Sequence, residues 1–517
     1  MCERVLTGRY SRPVAPRSRA PTVPLAASIG SVLLVAVVAA TPGSPFQPVL
    51  PPGAGPSGPF RWLAEVVGLD GLGPSALAAV AVLSVVAAAA AFAAMLRAAW
   101  RGRVSVRTVV ALALAYHVVI LFLPLLFSRD VYSYAEIGRI AGIHHANPYV
   151  LTPADFPRDP IAMYVGPKWL STPAVYGPLF TSFASALARA VGSIGGLIAA
   201  FRVLAVLASL GTLAVIDRLA RRLAPSRRAF ALAAFGMNPV VLFQSVGSGH
   251  NDLWIALGVA GALALVVARR ELLATAVLAL ATLVKAPAAV PLALAIVTVI
   301  ARRPRGERAR ALGAHLGLAA AIGLAFAAPF LQTQDPTLGM AELATHEGWL
   351  APSRLFRRAL DAVSGDALGI LSRIAFGVVL LVVLFAIGRW VARRGRALVP
   401  SELGAAWAWG LAGLMLLGPV LLPWYVTWAL PLVWLVPSVP RWTILGTGLA
   451  LTVSQFTTEP GRYPSAYSAN LLVGHYMLTP VVVLLLGWLL LDLWRRLRAE
   501  ASLAEEPREV PAAARQR

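Results

Sequence analysis

The chain has 517 residues, 58% of them hydrophobic and 13% charged, with a mean hydropathy of +0.74; this excludes a soluble globular enzyme and a disordered chain and leaves a polytopic helical membrane protein. A formal charge of +22 would suggest nucleic acid in a soluble protein, but here the arginines cluster in short loops between apolar runs, as cytoplasmic loops do, so no nucleic-acid partner is expected. The only cysteine, Cys2, cannot form an internal disulfide, and with no His/Cys metal spacing in the chain neither a metal nor another cofactor is expected.

In chain order, a tail with Arg4, Arg9, Arg12, Arg17 and Arg19 precedes an apolar run from Leu25 to Ala40. The tail is expected in the cytoplasm, and the run reads as a membrane span or as a signal peptide with a small-residue site at Val38-Ala39-Ala40. A second span, about Ala76 to Leu96, returns to Arg97, Arg101, Arg103 and Arg107, and a third, about Val109 to Phe127, leads outward.

Ser128 to Pro178 is the longest polar interruption of the chain and begins directly after that third span. Asp130 is therefore expected at the outer membrane surface, where a carboxylate stays ionised without the full cost of entering hydrocarbon. A short amphipathic helix is expected over Tyr132 to Ile143, a turn at Asn147-Pro148, and an interfacial or re-entrant helix over Pro178 to Val191, which is short for a span and carries Arg189.

A fourth span ends in Arg218, Arg221, Arg222, Arg227 and Arg228; a fifth climbs to a turn at Gly247 to Asp252, and a sixth descends to Arg269 and Arg270. His250, Asn251 and Asp252 then face the same side as Asp130. Leu272 to Ile300 has arginines at both ends, which is resolved by a hairpin of two short helices broken at Lys285-Ala286-Pro287. About thirteen residues at roughly 1.5 Å each climb about 20 Å, which carries Lys285 into the outer half of the bilayer, where an ammonium requires an anion.

A further span leads to an outer loop from Leu331 to about Asp366 with His346 and Trp349, and another returns to Arg393, Arg394 and Arg396. Two more are expected to meet outside at Pro423-Trp424-Tyr425, the second short and marked by Pro431, before two final spans. About twelve spans plus the hairpin give five regions: a cytoplasmic basic tail (1–24), the first transmembrane helices (25–127), an extracytoplasmic catalytic loop with an interfacial helix (128–195), a transmembrane core with outer loops (196–494) and a cytoplasmic disordered tail (495–517).

One carboxylate facing scattered cations suits a particular chemistry. Phosphate is already a competent leaving group, so a sugar phosphate needs only a base for the acceptor hydroxyl and cations for the departing charge, whereas a glycosidase generally needs a second carboxyl to protonate an alkoxide.

Arg129-Asp130-Val131-Tyr132-Ser133-Tyr134 after a span, Asn147-Pro148-Tyr149, Thr172-Pro173-Ala174-Val175-Tyr176-Gly177-Pro178, Gly249-His250-Asn251-Asp252, Lys285-Ala286-Pro287 and Pro423-Trp424-Tyr425 together resemble the signature of actinobacterial polyprenol-phosphomannose-dependent mannosyltransferases of glycosyltransferase superfamily C. The resemblance runs from about residue 75 to 495. It implies an all-α GT-C-like transmembrane helix bundle with a large extracytoplasmic first catalytic loop, in the plasma membrane. It also implies a polyprenyl phosphomannose donor, a glycolipid or lipoglycan acceptor within the membrane lipid, and an α-mannoside formed by inversion. Many superfamily members carry two neighbouring acids; here the next after Asp130 is Glu136.

Asp130 matches the family's base, against the plainer reading of a loop carboxylate paired with Arg129. Lys285 is the first candidate for the lipid phosphate, against a structural pair with Asp252, with Lys168 and Arg202 as further candidates. Tyr132 and Tyr134 line the sugar site or anchor the interface; His250, Asn251 and Asp252 bind substrate or brace the Asp130 loop. Tyr176, Trp424 and Tyr425 are candidates to stack on sugar or prenyl chain, and His346 or His475 to assist the leaving group. A transferase using another polyprenyl phosphosugar, such as an arabinosyl donor, and a lipid flippase or transporter stand as alternatives.

Overall fold

The computed structural model describes residues 22–51, 60–332, 335, 337–342, 346–348, 350–364, 369–454, 461 and 463–505. Among them there are helices and loops and no strand. Seven helices are long and apolar enough to cross a membrane. Other expected spans are present as shorter apolar helices. The N-terminal arginines through Arg19 and Trp349 lie outside the described residues.

The first four α-helices are α1 (Thr22–Ala40), α2 (Arg61–Val67), α3 (Pro74–Trp100) and α4 (Val106–Leu121). Pro74 begins α3 in the first helical turn, where its missing N–H would have had no intrahelical acceptor, and Ser105 caps α4 by accepting from the Thr108 N–H at 3.0 Å. Then come α5 (Asp130–Gly142), α6 (Pro178–Ala190) and α7 (Ile194–Leu223). α5 is not the half-exposed amphipathic helix expected: ten of its thirteen residues are buried. Its glycines explain the depth, because a Cβ on Gly138 would sit 2.5 Å from the Ala184 carbonyl oxygen and one on Gly142 2.6 Å from that of Ser185, so α5 and α6 meet backbone to backbone.

The centre of the bundle is α8 (Arg228–Gly236), which passes at Pro239 into a π-helical turn, Val240–Val246, buried throughout. Pro239 supplies no N–H; Asn238 fills the break, donating to the Ala234 carbonyl at 3.1 Å and accepting from the Val240 N–H at 3.0 Å. α9 (Asp252–Val267), α10 (Glu271–Thr282) and α11 (Ala289–Arg302) follow, with a single 3-10 turn, Ala286–Ala288, between the last two. This is the expected hairpin, broken beside Lys285. α12 (Arg308–Ala327) then crosses with His315 as its only buried residue.

The expected short helix after Pro423 is corrected. Residues 418–437 hold two 3-10 segments, Pro423–Trp428 and Leu430–Leu432, because Pro423 and Pro431 remove the donors a continuing α-helix would need. Both segments are buried among the helices. The last helix, Thr479–Glu505, runs past the start of the expected tail, with Arg496 pairing to Asp492 one turn earlier at 2.6 Å.

Candidate active site

Asp130 is positioned by a pin between two turns. The Leu126 N–H donates to the Gly247 carbonyl at 3.2 Å, and the Ser248 hydroxyl donates to the Leu126 carbonyl at 2.5 Å. Phe127, at φ 56°, takes a left-handed conformation costly for an aromatic residue, held by its N–H donating to the Phe46 carbonyl at 2.6 Å. Gly249 takes φ 72°, and a Cβ there would meet Arg202 Cγ at 3.2 Å and Val131 Cγ2 at 3.5 Å. The pin brings His250 to Asp130, with Nδ1 3.6 Å from a carboxylate oxygen.

The Asp130 side chain is 18% exposed, less open to water than the sequence reading expected. Burial pushes its pKa up to about 6, with the Ser128 hydroxyl, Lys285 and Lys168 pulling the other way and Asp252 adding to the rise. The group is therefore mostly ionised at neutral pH and able to accept a proton. His250 is fully buried and held well below its usual range by burial and then by Lys285, so it is neutral. Its ring stacks on Trp424, centres 3.8 Å apart. Tyr134 Oη lies 3.2 Å from His250 Nδ1 and donates to Asn251 Oδ1 at 3.4 Å. His250 Nε2 and Asn251 Nδ2 are buried with no hydrogen-bond partner, an arrangement that buried donors and acceptors rarely keep.

Lys285 reaches the same region from the hairpin. Its ammonium donates to both Asp252 oxygens, at 2.9 and 3.1 Å, and Trp428 Nε1 donates to Asp252 Oδ1 at 2.6 Å. The plainer expectation for Lys285, a pair with Asp252, is thus present in the fold. Three aromatic faces surround the ammonium, with Tyr425 at 4.6 Å, Trp428 at 5.7 Å and Tyr176 at 6.0 Å from ring centre. Beside it opens a cavity of about 280 Å³, walled chiefly by Val175, Val290, Met340, Leu414 and Val420. An ammonium at the end of an apolar hollow can receive an anion attached to a hydrocarbon.

The loop and hairpin are tied by backbone. The Gly177 N–H donates to the Val284 carbonyl and the Leu179 N–H to that of Leu283, both at 3.1 Å, and a Cβ on Gly177 would lie 2.2 Å from the Leu283 carbonyl oxygen. Tyr149 of the Asn-Pro-Tyr turn donates to the Tyr176 carbonyl at 2.7 Å. Gly177 and Tyr149 therefore brace the site, while Val175 and Tyr176 between them line it.

Asp130, Tyr134, Tyr176, His250, Asn251, Asp252, Lys285, Trp424 and Tyr425 form one connected group. Tyr132 lies beside it, stacked on Tyr164 with centres 5.1 Å apart. Arg202 donates to the Ile120 carbonyl at 2.9 Å, and its Nε is buried without a partner. Lys168 is exposed and sits 5.1 Å from the Trp169 ring centre; His346 is near the same ring, with Nδ1 3.1 Å from the Glu342 carbonyl oxygen. The His475 side chain lies outside the described residues. Sequence reasoning missed Trp428, which shares Asp252 with Lys285; its signal was the aromatic repeat from Trp424 to Trp428. It also missed Asp159, which joins Arg139 at 2.9 Å, His144 at 2.7 Å and the Ile161 N–H at 2.9 Å. Burial raises the Asp159 pKa, but those hydrogen bonds outweigh it and hold the group low.

Among curated proteins, 323 residues are 30% identical to Alpha-(1->6)-mannopyranosyltransferase A of Mycobacterium tuberculosis, over 59% of this chain and 60% of the relative. A probable alpha-(1->6)-mannopyranosyltransferase of Mycolicibacterium smegmatis is 28% identical over 364 residues, 60% of this chain and 62% of the relative. The chain thus spans about three fifths of the length of these two relatives. No solved structure matches significantly. The family described as Alpha-(1->6)-mannopyranosyltransferase, N-terminal domain, matches residues 29–302. That match covers more than half of the chain, which therefore belongs to the alpha-(1->6)-mannopyranosyltransferase family.

Proposed function

We propose that the protein transfers mannose from polyprenyl phosphomannose to a hydroxyl of a glycolipid or lipoglycan at the extracytoplasmic face of the plasma membrane, forming an α-(1→6) linkage with inversion. Asp130 takes the acceptor hydroxyl proton as the acceptor oxygen bonds to the mannose anomeric carbon. The bond from that carbon to the phosphate oxygen breaks, and polyprenyl phosphate departs with the electron pair. Lys285 receives the departing phosphate, and the apolar cavity beside it holds the first prenyl units. His250 and Tyr134 orient the carboxylate, and Trp424 holds His250 in place.

The observation that carries this reading is the Gly249-His250-Asn251-Asp252 turn, which holds a carboxylate at one end, with His250 3.6 Å from Asp130, and an ammonium at the other, with Asp252 2.9 Å from Lys285. The linkage follows the names of the relatives. The test is transfer of labelled mannose from polyprenyl phosphomannose by membranes carrying the protein. Asp130→Asn should abolish transfer at unchanged protein level. Full activity in that variant would remove the base, and activity on a nucleotide sugar without polyprenyl phosphate would remove the donor.

A further inference from the structure

α9 starts at Asp252 beside the site and α10 returns toward Lys285, so their connecting turn lies about 24 Å away, at the opposite end of both helices. That turn holds Arg269, in a left-handed conformation at φ 60°, and Arg270. Next to it runs the turn between α11 and α12. Between the two turns is an open hollow of about 640 Å³ whose walls include Arg269, Arg270, Arg303, Arg310, Leu272 and Leu273.

The charge in this hollow is unbalanced. Its carboxylates are Glu271 and Glu307, against four guanidinium groups. Glu271 is occupied by Arg302 at 3.4 Å and Arg303 at 3.0 Å. The side chains of Arg269, Arg270 and Arg310 make no hydrogen bond or ion pair among the described residues. Three guanidinium groups therefore point to an anion that the protein does not provide.

The rest of the wall identifies the kind of anion. Leu272 and Leu273 are 48% and 49% exposed, and Ala311 and Ala314 of α12 continue the wall along a helix whose only buried residue is His315. His315 closes the floor, its Nδ1 2.6 Å from the Thr275 hydroxyl. A soluble phosphate would leave these apolar groups unused, whereas a lipid would place its acyl chains along α12. We infer that this hollow binds the headgroup of an anionic phospholipid, on the membrane face opposite Asp130.

The experiment is native mass spectrometry of the full chain in detergent, titrated with phosphatidylglycerol, with phosphatidylcholine of the same acyl chains and inorganic phosphate as separate arms. Phosphatidylglycerol should be retained at least about tenfold more than phosphatidylcholine, Arg270→Gln and Arg310→Gln should each weaken retention about fivefold, and inorganic phosphate should not displace the lipid. Arg222→Gln, at an exposed arginine outside the hollow, should change nothing. Ala314→Glu, which sets a repelling carboxylate on the wall without removing an arginine, should weaken retention as the arginine variants do. Equal retention of the two lipids, equal loss with Arg222→Gln, unchanged binding in the hollow variants, or displacement by phosphate at the lipid's own concentration would each overturn the assignment.

Discussion

His250 Nδ1 lies 3.6 Å from the Asp130 carboxylate on a ring stacked 3.8 Å from Trp424. Because burial keeps this imidazole neutral, it does not lower the Asp130 pKa as a cation would; it limits where the carboxylate and Tyr134 can go. His250→Phe keeps a ring against Trp424 and deletes the nitrogen. The expected result is a kcat about tenfold lower with KM little changed. A rise in KM alone would place the ring against the donor and not behind the base.

As the proposed base, Asp130 joins function to stability with opposite signs. Its folded pKa of about 6 lies above its ordinary 3.8, so the native state binds the proton more tightly than the unfolded chain does. Stability is therefore highest below about pH 4, declines as pH rises toward 6, and carries the full cost above that. The cost is at most about 3 kcal/mol. Asp130→Asn removes it, so at pH 7 this variant should resist thermal denaturation better than the wild type while losing at least about 100-fold in transfer. Wild-type transfer should fall on the acid side with a midpoint near pH 6. A pH-independent rate between 5 and 8, or a less stable Asn variant, would contradict the assignment of Asp130 as a base kept at a cost.

Lys285 and Asp252 can be separated as structure and as function. Lys285→Met strands a buried carboxylate with only the Trp428 indole, which should cost about 3–5 kcal/mol. Adding Asp252→Asn neutralises that carboxylate and still accepts from Trp428, so the double variant should regain most of the stability. Thermal denaturation and mannose transfer, measured side by side, separate the roles. If Lys285 receives the lipid phosphate, the double variant is stable and inactive; recovery of transfer with stability would reduce Lys285 to a brace.

The order of the elements was legible in the sequence because apolar runs and arginine clusters alternate along it. The hairpin at Lys285 followed from the same parity: arginines at both ends of one apolar stretch admit few alternatives. Depth was not legible. α5 read as an amphipathic surface helix because polar residues crowd the loop, yet Gly138 and Gly142 let α6 approach closely enough to bury most of it. The segment after Pro423 read as a helix by its hydrophobicity alone, which does not distinguish an α-helix from 3-10 turns packed in a core. The roles of Gly177 and Tyr149 depend on partners more than a hundred residues away for Gly177 and about thirty for Tyr149, which no local pattern reveals.

Gly177 can be tested directly. Its Cβ position is occupied by the Leu283 carbonyl, so Gly177→Ala must push the loop from the hairpin and with it Tyr176 from Lys285. On the proposed function, transfer should fall about tenfold or more through KM for the lipid donor, since the part displaced is the proposed phosphate site. Gly192→Ala, where an added Cβ meets nothing within 4 Å, is the control and should leave both constants within about twofold. An unaffected donor KM in Gly177→Ala would mean that the loop and hairpin move together.

Glu136 is fully buried, with the Asp159 carboxylate as a polar neighbour. Burial, then the neighbouring Asp159 carboxylate, raises its pKa to about 8, against the pull of Arg139. The side chain is therefore neutral at pH 7, and the fold loses stability as pH rises from the ordinary glutamate range through 8. Glu136→Gln copies the neutral form. Its Tm should match the wild type near pH 4, rise above it from about pH 5 and exceed it by about 2–4 °C at pH 9, with transfer at pH 7 within about twofold of wild type. Loss of transfer in Glu136→Gln at pH 7 would instead make Glu136 a second acid of the reaction, one α5 turn and a half from Asp130, and would require the ionised form to exist in a site built to suppress it.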